Sequence, residues 1–146
     1  MATRSANTAW TGTLNEGSGH VVLTSSGAGA FDVSFPKRTA EEADGTTSPE
    51  ELIAAAHSSC YAMQLSGVIA AAGGTPGSLD VTSDVRLIPD PAGGLRISGI
   101  KITVRGRVEG LDEDGFVAAA EKAKATCPVS KALAGVDEIT LDAALA

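Results

Sequence analysis

No stretch limits the fold of this chain more than "TSPEELIAAAHSSCYAMQLSGVIAAAGG", residues 47–74. Ser48 is a good N-cap, Pro49 suits the first helical position, and Glu51 lies three residues after the cap, the spacing of a capping box. A glycine-rich stop, "GGTPG", ends the pattern near Gly73. The run from Leu52 to Gly73 is long enough to span a bilayer. It carries His57, three serines and Gln64 among many alanines, which insert poorly, so it reads as a buried core helix and no membrane partner is expected. A core built around such a helix must account for a histidine and a thiol, His57 and Cys60, one turn apart in its interior.

The remainder of the 146 residues alternates in the manner of strands. "NTAWTGTL", "GHVVLTSS" and "FDVSF" form a predicted three-strand meander joined by Gly/Ser turns. The polar stretch "PKRTAEEADGTT", residues 36–47, reads as a surface loop. Beyond the central helix come two long strands, "SLDVTSDVRLIP" and "GLRISGIKITVRGRVEG", joined by a "DPAGG" turn. A helix, "DEDGFVAAAEKAKATC", then turns at Cys127-Pro128 into a short one, "PVSKALAG", before a last strand, "DEITLDAAL". The order βββ-α-ββ-αα-β is that of a single α+β domain covering residues 1–146. Aromatic residues make up only 3% of the chain, so the core is aliphatic, and a thin core of this kind is often completed by a second subunit.

Charge and compartment exclude other classes. A formal net charge of −7, with Arg38, Arg86, Arg96, Lys101, Arg105 and Arg107 scattered among acids, argues against a nucleic-acid partner. "MATRSANTAW" has no apolar signal core, so a cytoplasmic, reducing location is expected, where two cysteines suggest chemistry more than a permanent staple.

The cysteines are too far apart in sequence for a CxxC redox pair or a zinc ribbon. Mid-helix, Cys60 gains little from the helix dipole, and apolar surroundings raise its pKa and leave it inert unless a cation reaches it from elsewhere. His57, at i−3, is the local candidate. Arg38, from the loop before the helix, is the other, and its fork could hold a carboxylate such as Glu50 while facing a thiolate. Ten helical residues put Glu50 about 15 Å from Cys60 along the axis, so a straight helix forbids direct contact. Cys127, immediately before Pro128, has free backbone amides nearby that could lower its pKa. On these residues alone either cysteine could be the nucleophile. A metal site of His57, Cys60 and Cys127 lacks a fourth ligand beyond His20 or a carboxylate. A Cys–His hydrolase with His57 as base leaves little room for substrate.

Two segments, "TSPEELIAAAHSSCYAMQLS" and "KAKATCPVSKAL", closely resemble the paired cysteine segments of the OsmC/Ohr family, in the OsmC branch. The resemblance implies an OsmC-like fold whose antiparallel sheets wrap around the cysteine-bearing helix in an intertwined homodimer. It implies a thiol peroxidase that reduces organic hydroperoxides, and hydrogen peroxide less efficiently, with no metal, haem or flavin and with an external thiol or dithiol reductant. By position, Cys60 matches the peroxidatic cysteine, Cys127 the resolving cysteine, Arg38 the arginine that stabilises the thiolate, and Glu50 the glutamate that orients Arg38. The alternative within the same fold is a non-catalytic protein binding a hydrophobic molecule at the dimer cleft.

Overall fold

A computed structural model describes residues 2–146, which cluster into two compact units, one ending at Leu52 and the other running over Ile53–Ala146, with the division inside the central helix. In the first unit, β1 (Asn7–Thr11), β2 (Ser18–Val22) and β3 (Ala30–Val33) form an antiparallel meander. Trp10 and Val33 flank Gly19 across the three strands. A Cβ at Gly19 would lie 2.9 Å from each of them, so the close approach of the two side chains needs glycine there. Trp10 is still 43% exposed, and Phe31 is exposed as well.

A short helix, α1 (Phe35–Arg38), occupies the start of the segment expected to be irregular. Ser34 supplies the cap, accepting from the Lys37 amide at 3.3 Å, and Pro36 fixes a helical φ in the first turn. A single turn has no apolar periodicity to read, which is why its sequence looks like loop. Thr47 then donates its amide to the Asp32 carbonyl at 3.1 Å, tying the loop to β3 just before α2 (Pro49–Ala71) begins. At that start Ser48 Oγ accepts from the Glu51 amide at 3.1 Å. The reciprocal half of the expected capping box is replaced, because the Glu51 carboxylate takes the Thr47 hydroxyl instead.

In the second unit, β4 (Thr75–Pro89) and β5 (Leu95–Glu109) make a long antiparallel hairpin. Helices α3 (Glu113–Thr126) and α4 (Pro128–Ala132) follow, and β6 (Glu138–Leu145) joins the outer side of β5. The antiparallel expectation holds for β1–β3 and for the hairpin but not for β6, which runs parallel to β5. Two helices intervene between β5 and β6, and a crossover of that length is what a parallel pair requires.

One face of the Ile53–Ala71 segment, carrying Tyr61, Leu65, Val68 and Ile69, is buried with Ile102 and Val104 of β5 and with Phe116, Ala119, Ala120 and Ala123 of α3. Helix α2 is long and apolar enough to cross a membrane; this face is instead committed to the core. Small alanines on α3 let it approach closely, and Phe116 fills the space over Gly106, where an added Cβ would meet its ring at 2.7 Å. Gly106→Ala is therefore expected to destabilise the protein by about 1–3 kcal/mol in urea unfolding. Shrinking the facing ring with Phe116→Leu in the same chain should make the added methyl cost less than it does alone.

Candidate active site

Two clusters of the side chains singled out from sequence exist, one in each unit. In the first, the one-turn helix α1 presents Arg38 to the first turn of α2. Arg38 Nε lies 3.1 Å from both carboxylate oxygens of Glu50, and Arg38 Nη2 lies 2.6 Å from Oε1. Glu50 is buried, 7% exposed, so its charge needs the fork that Arg38 provides. Burial pushes the Glu50 carboxyl up, but the hydrogen bonds and charge of Arg38, with help from Ser48 and the backbone, outweigh it and hold the carboxyl below its ordinary value. The Glu50 hydrogen bonds correspondingly raise Arg38 against its own burial. The neighbouring Lys37 turns away and pairs with Asp44. Arg38 also forms one wall of an apolar cavity of about 220 Å³, lined by Trp10, Leu14, Val33, Phe35 and Pro49.

In the second cluster, Cys60 and Cys127 are both free thiols with their sulfurs 3.4 Å apart. Sixty-seven residues separate them in sequence. Two hydrogen bonds between α2 and α3 fix their approach: Tyr61 Oη donates to the Ala120 carbonyl at 2.9 Å, and Gln64 Nε2 donates to Thr126 Oγ1 at 2.9 Å. Cys127 is fully buried at the joint where α3 ends and α4 begins, and Cys60 is half-buried.

The two thiols experience opposite fields. For Cys60 burial dominates and raises the pKa; the Val129 amide opposes this only in part, and Cys127 adds to the rise. None of these groups is a cation. Burial also pushes Cys127 up, but the amide and hydroxyl of Ser130, the Cys60 thiol and the Val129 amide together bring it below the ordinary thiol value.

His57 does not act on Cys60. It is fully buried, with Nε2 2.7 Å from Ser130 Oγ, so a Cys–His hydrolase pair is not assembled. Nor do three His, Cys, Asp or Glu side chains converge as a metal site among the described residues; His20 is occupied with Asp32 at 2.8 Å. Ser130 was not singled out from sequence. Its position three residues after Cys127, at the third residue of the helix that follows the cysteine, was the available signal.

Residues 42–142 match the OsmC-like protein family. The chain belongs to that family. The OsmC-like chain is 41% identical over 133 residues to "Peroxiredoxin OsmC" of Escherichia coli (strain K12), covering 91% of this chain and 90% of that one. It is 32% identical over 126 residues to "Organic hydroperoxide resistance protein OhrA" of Bacillus subtilis (strain 168), covering 84% and 86%. Among solved structures, an organic hydroperoxide resistance protein from Elizabethkingia anophelis superposes with a TM-score of 0.80 at 29% identity, over 100% of this chain and 98% of that one. The organic hydroperoxide resistance protein OsmC of Legionella pneumophila gives 0.79 at 26% identity, over 99% and 98%.

The Arg38–Glu50 pair makes a pH prediction. The Glu50 carboxyl lies lower folded than unfolded, so its contribution to stability is complete above the ordinary glutamate value and lost as pH falls through the folded one. Glu50→Gln should cost about 1–2 kcal/mol at neutral pH. That difference from the parent should shrink toward zero in unfolding titrations carried into strong acid.

Proposed function

We propose that this OsmC-like protein is a cysteine-based peroxidase that reduces organic hydroperoxides to alcohols, and hydrogen peroxide less efficiently. The observation that carries the reading is the pair of free, contacting thiols at Cys60 and Cys127, in a chain similar over nine-tenths of its length to a peroxiredoxin. Cys60 is the peroxidatic residue. Burial opposes its ionisation; in this reading, as the OsmC-type resemblance implies, the activating charge is the Arg38 guanidinium, whose orientation is held by its ion pair with Glu50.

The Cys60 thiolate attacks the distal peroxide oxygen. The O–O bond breaks, the sulfur becomes a sulfenic acid, and the departing alkoxide is steadied by the guanidinium and takes a proton from solvent. Cys127 then attacks the Cys60 sulfur. A Cys60–Cys127 disulfide forms, hydroxide leaves and is protonated to water, and an external thiol or dithiol restores both cysteines. No cofactor takes part in this cycle. In this reading the alkyl group of the substrate enters the cavity beside Arg38, whose lining of Trp10, Leu14, Val33, Phe35 and Pro49 is apolar.

The working form is an intertwined homodimer in which residues 1–146 act as one OsmC-like domain, in the cytoplasm. A three-strand sheet with Trp10 and Phe31 exposed, Leu14 exposed in its first turn, and a central helix whose Met63 is 71% exposed leave apolar surface that a second copy would cover. The rival reading, a non-catalytic protein holding a hydrophobic molecule, draws on the same cavity.

Reduced protein treated with cumene hydroperoxide should lose two thiols per chain and show an intramolecular disulfide by mass spectrometry. Cys60→Ser should abolish turnover, and Cys127→Ser should leave Cys60 overoxidised to sulfinic acid. Arg38→Ala should lower kcat/KM by about a hundredfold or more. Full activity in Cys60→Ser would overturn the assignment of roles, and tight ligand binding without thiol loss would favour the rival reading.

A further inference from the structure

Cys60 and Cys127 are free thiols held against each other before any oxidant arrives, and their spacing of 3.4 Å is itself a coordination geometry. For a soft centre bonded to both sulfurs at about 2.3 Å, the length of a zinc–thiolate bond, that spacing sets the S–X–S angle near about 95°. Linear two-coordinate binding at the same bond length needs sulfurs about 4.6 Å apart, and a tetrahedral centre needs about 3.8 Å. An angle close to a right angle belongs to a three-coordinate pyramidal centre with a lone pair, the geometry of trivalent arsenic. Such an atom stands about 1.5 Å to one side of the line joining the sulfurs, so it bridges them without forcing them apart.

The donor set points the same way. Among the described residues no third His, Cys, Asp or Glu joins the pair, whereas zinc takes four ligands. A pyramidal centre uses the two sulfurs and keeps one position for a group the protein does not supply. Thiolates are soft ligands and select soft acceptors. Cys127 belongs to the apolar core cluster, and Cys60 and Val129 pack against it. An organic third group is therefore favoured over a hydroxyl, which would lose its water partners there. We propose that Cys60 and Cys127 form a capture site for monosubstituted trivalent arsenicals, RAs(OH)2 with R an alkyl or aryl group.

In the capture step two S–H bonds and two As–O bonds break, two As–S bonds form, and two waters leave. Arsenic stays trivalent and no electrons are transferred. Cys60, partly open to solvent, makes the first bond, and the fully buried Cys127 makes the second. The hydrogen bonds from Tyr61 to Ala120 and from Gln64 to Thr126 hold the two sulfurs in register, so the second bond closes at high effective concentration. These are the same thiols as in the peroxidase reading, but capture requires no peroxide, so the two can fail separately.

Reduced protein titrated anaerobically with phenylarsine oxide should lose two thiols per arsenic bound. Mass spectrometry should show one phenylarsenic group per chain in place of two protons. Cys60→Ala and Cys127→Ala, each with one thiol, should bind at least about a hundredfold more weakly. Gln64→Leu keeps both thiols but releases Thr126, the neighbour of Cys127, and should weaken binding about tenfold. Inorganic arsenite, whose third group is a hydroxyl, should bind at least about tenfold more weakly than phenylarsine oxide. The dithiol 2,3-dimercaptopropanol should remove the arsenic and restore both thiols. Loss of a single thiol per arsenic, or single-cysteine variants that bind as tightly as the parent, would overturn the site. Arsenite binding as tightly as phenylarsine oxide would overturn the preference for an organic group. Two-thiol capture by a chain that consumes no peroxide would uphold the site and sink the peroxidase reading. Peroxide turnover without two-thiol capture would overturn the site and leave that reading standing.

Discussion

Everything at the thiol pair depends on how α2 seats against α3. Tyr61, Leu65 and Ile69 on one helix and Phe116, Ala119, Ala120 and Ala123 on the other lose essentially all contact with water. A large side chain buried in this way contributes about 1.5–3 kcal/mol. That gain fixes the two helices together, and the Tyr61 and Gln64 hydrogen bonds fix their register. Cys60 lies on α2 and Cys127 caps the end of α3, so the packing that stabilises the second unit also brings the sulfurs into contact. A shift of one helical residue would move one sulfur out of contact with the other.

Dry packing has an electrostatic consequence. Desolvation raises both thiols, and a sulfur becomes reactive only where a specific group offsets that cost. Cys127 finds its offset at the joint of α3 and α4, in the amides and hydroxyl contributed by Val129 and Ser130. Cys60, mid-helix with its backbone amides already committed, has no comparable set. The charge it lacks is of the kind that Arg38 carries, and Arg38 is itself kept in place by a buried carboxylate. The two sulfurs thus differ in their surroundings: hydrogen-bond donors oppose the burial of one, and burial dominates at the other.

Much of this frame was readable in the residues. Strand alternation, the glycine stops and the Ser48-Pro49 cap locate the long elements, because each is a local consequence of backbone geometry and of an apolar period. The motifs around the cysteines marked Cys60, Cys127 and Glu50, the loop after the third strand offered Arg38, and the fold sets Arg38 against Glu50 and Cys60 against Cys127. The one-turn helix α1 was not readable, since four residues cannot display a helical repeat. The direction of β6 was not readable either, because alternation along a strand is the same whether its neighbour runs parallel or antiparallel. Glu51 satisfied the spacing of a capping box, and the fold used Thr47 instead.

What the sequence determined by itself was the set of long elements, the apolar character of the central helix and the presence of two thiols in positions where burial would be costly to charge. Those follow from side-chain chemistry and short-range spacing. Only the tertiary structure decided that the two sulfurs come within 3.4 Å of each other and that His57 faces Ser130 instead of Cys60. Each of these depends on groups separated by as many as 73 residues meeting within hydrogen-bond distance. The strength of a hydrogen bond, and the cost of leaving one unmade, is set by that meeting and by the exclusion of water around it.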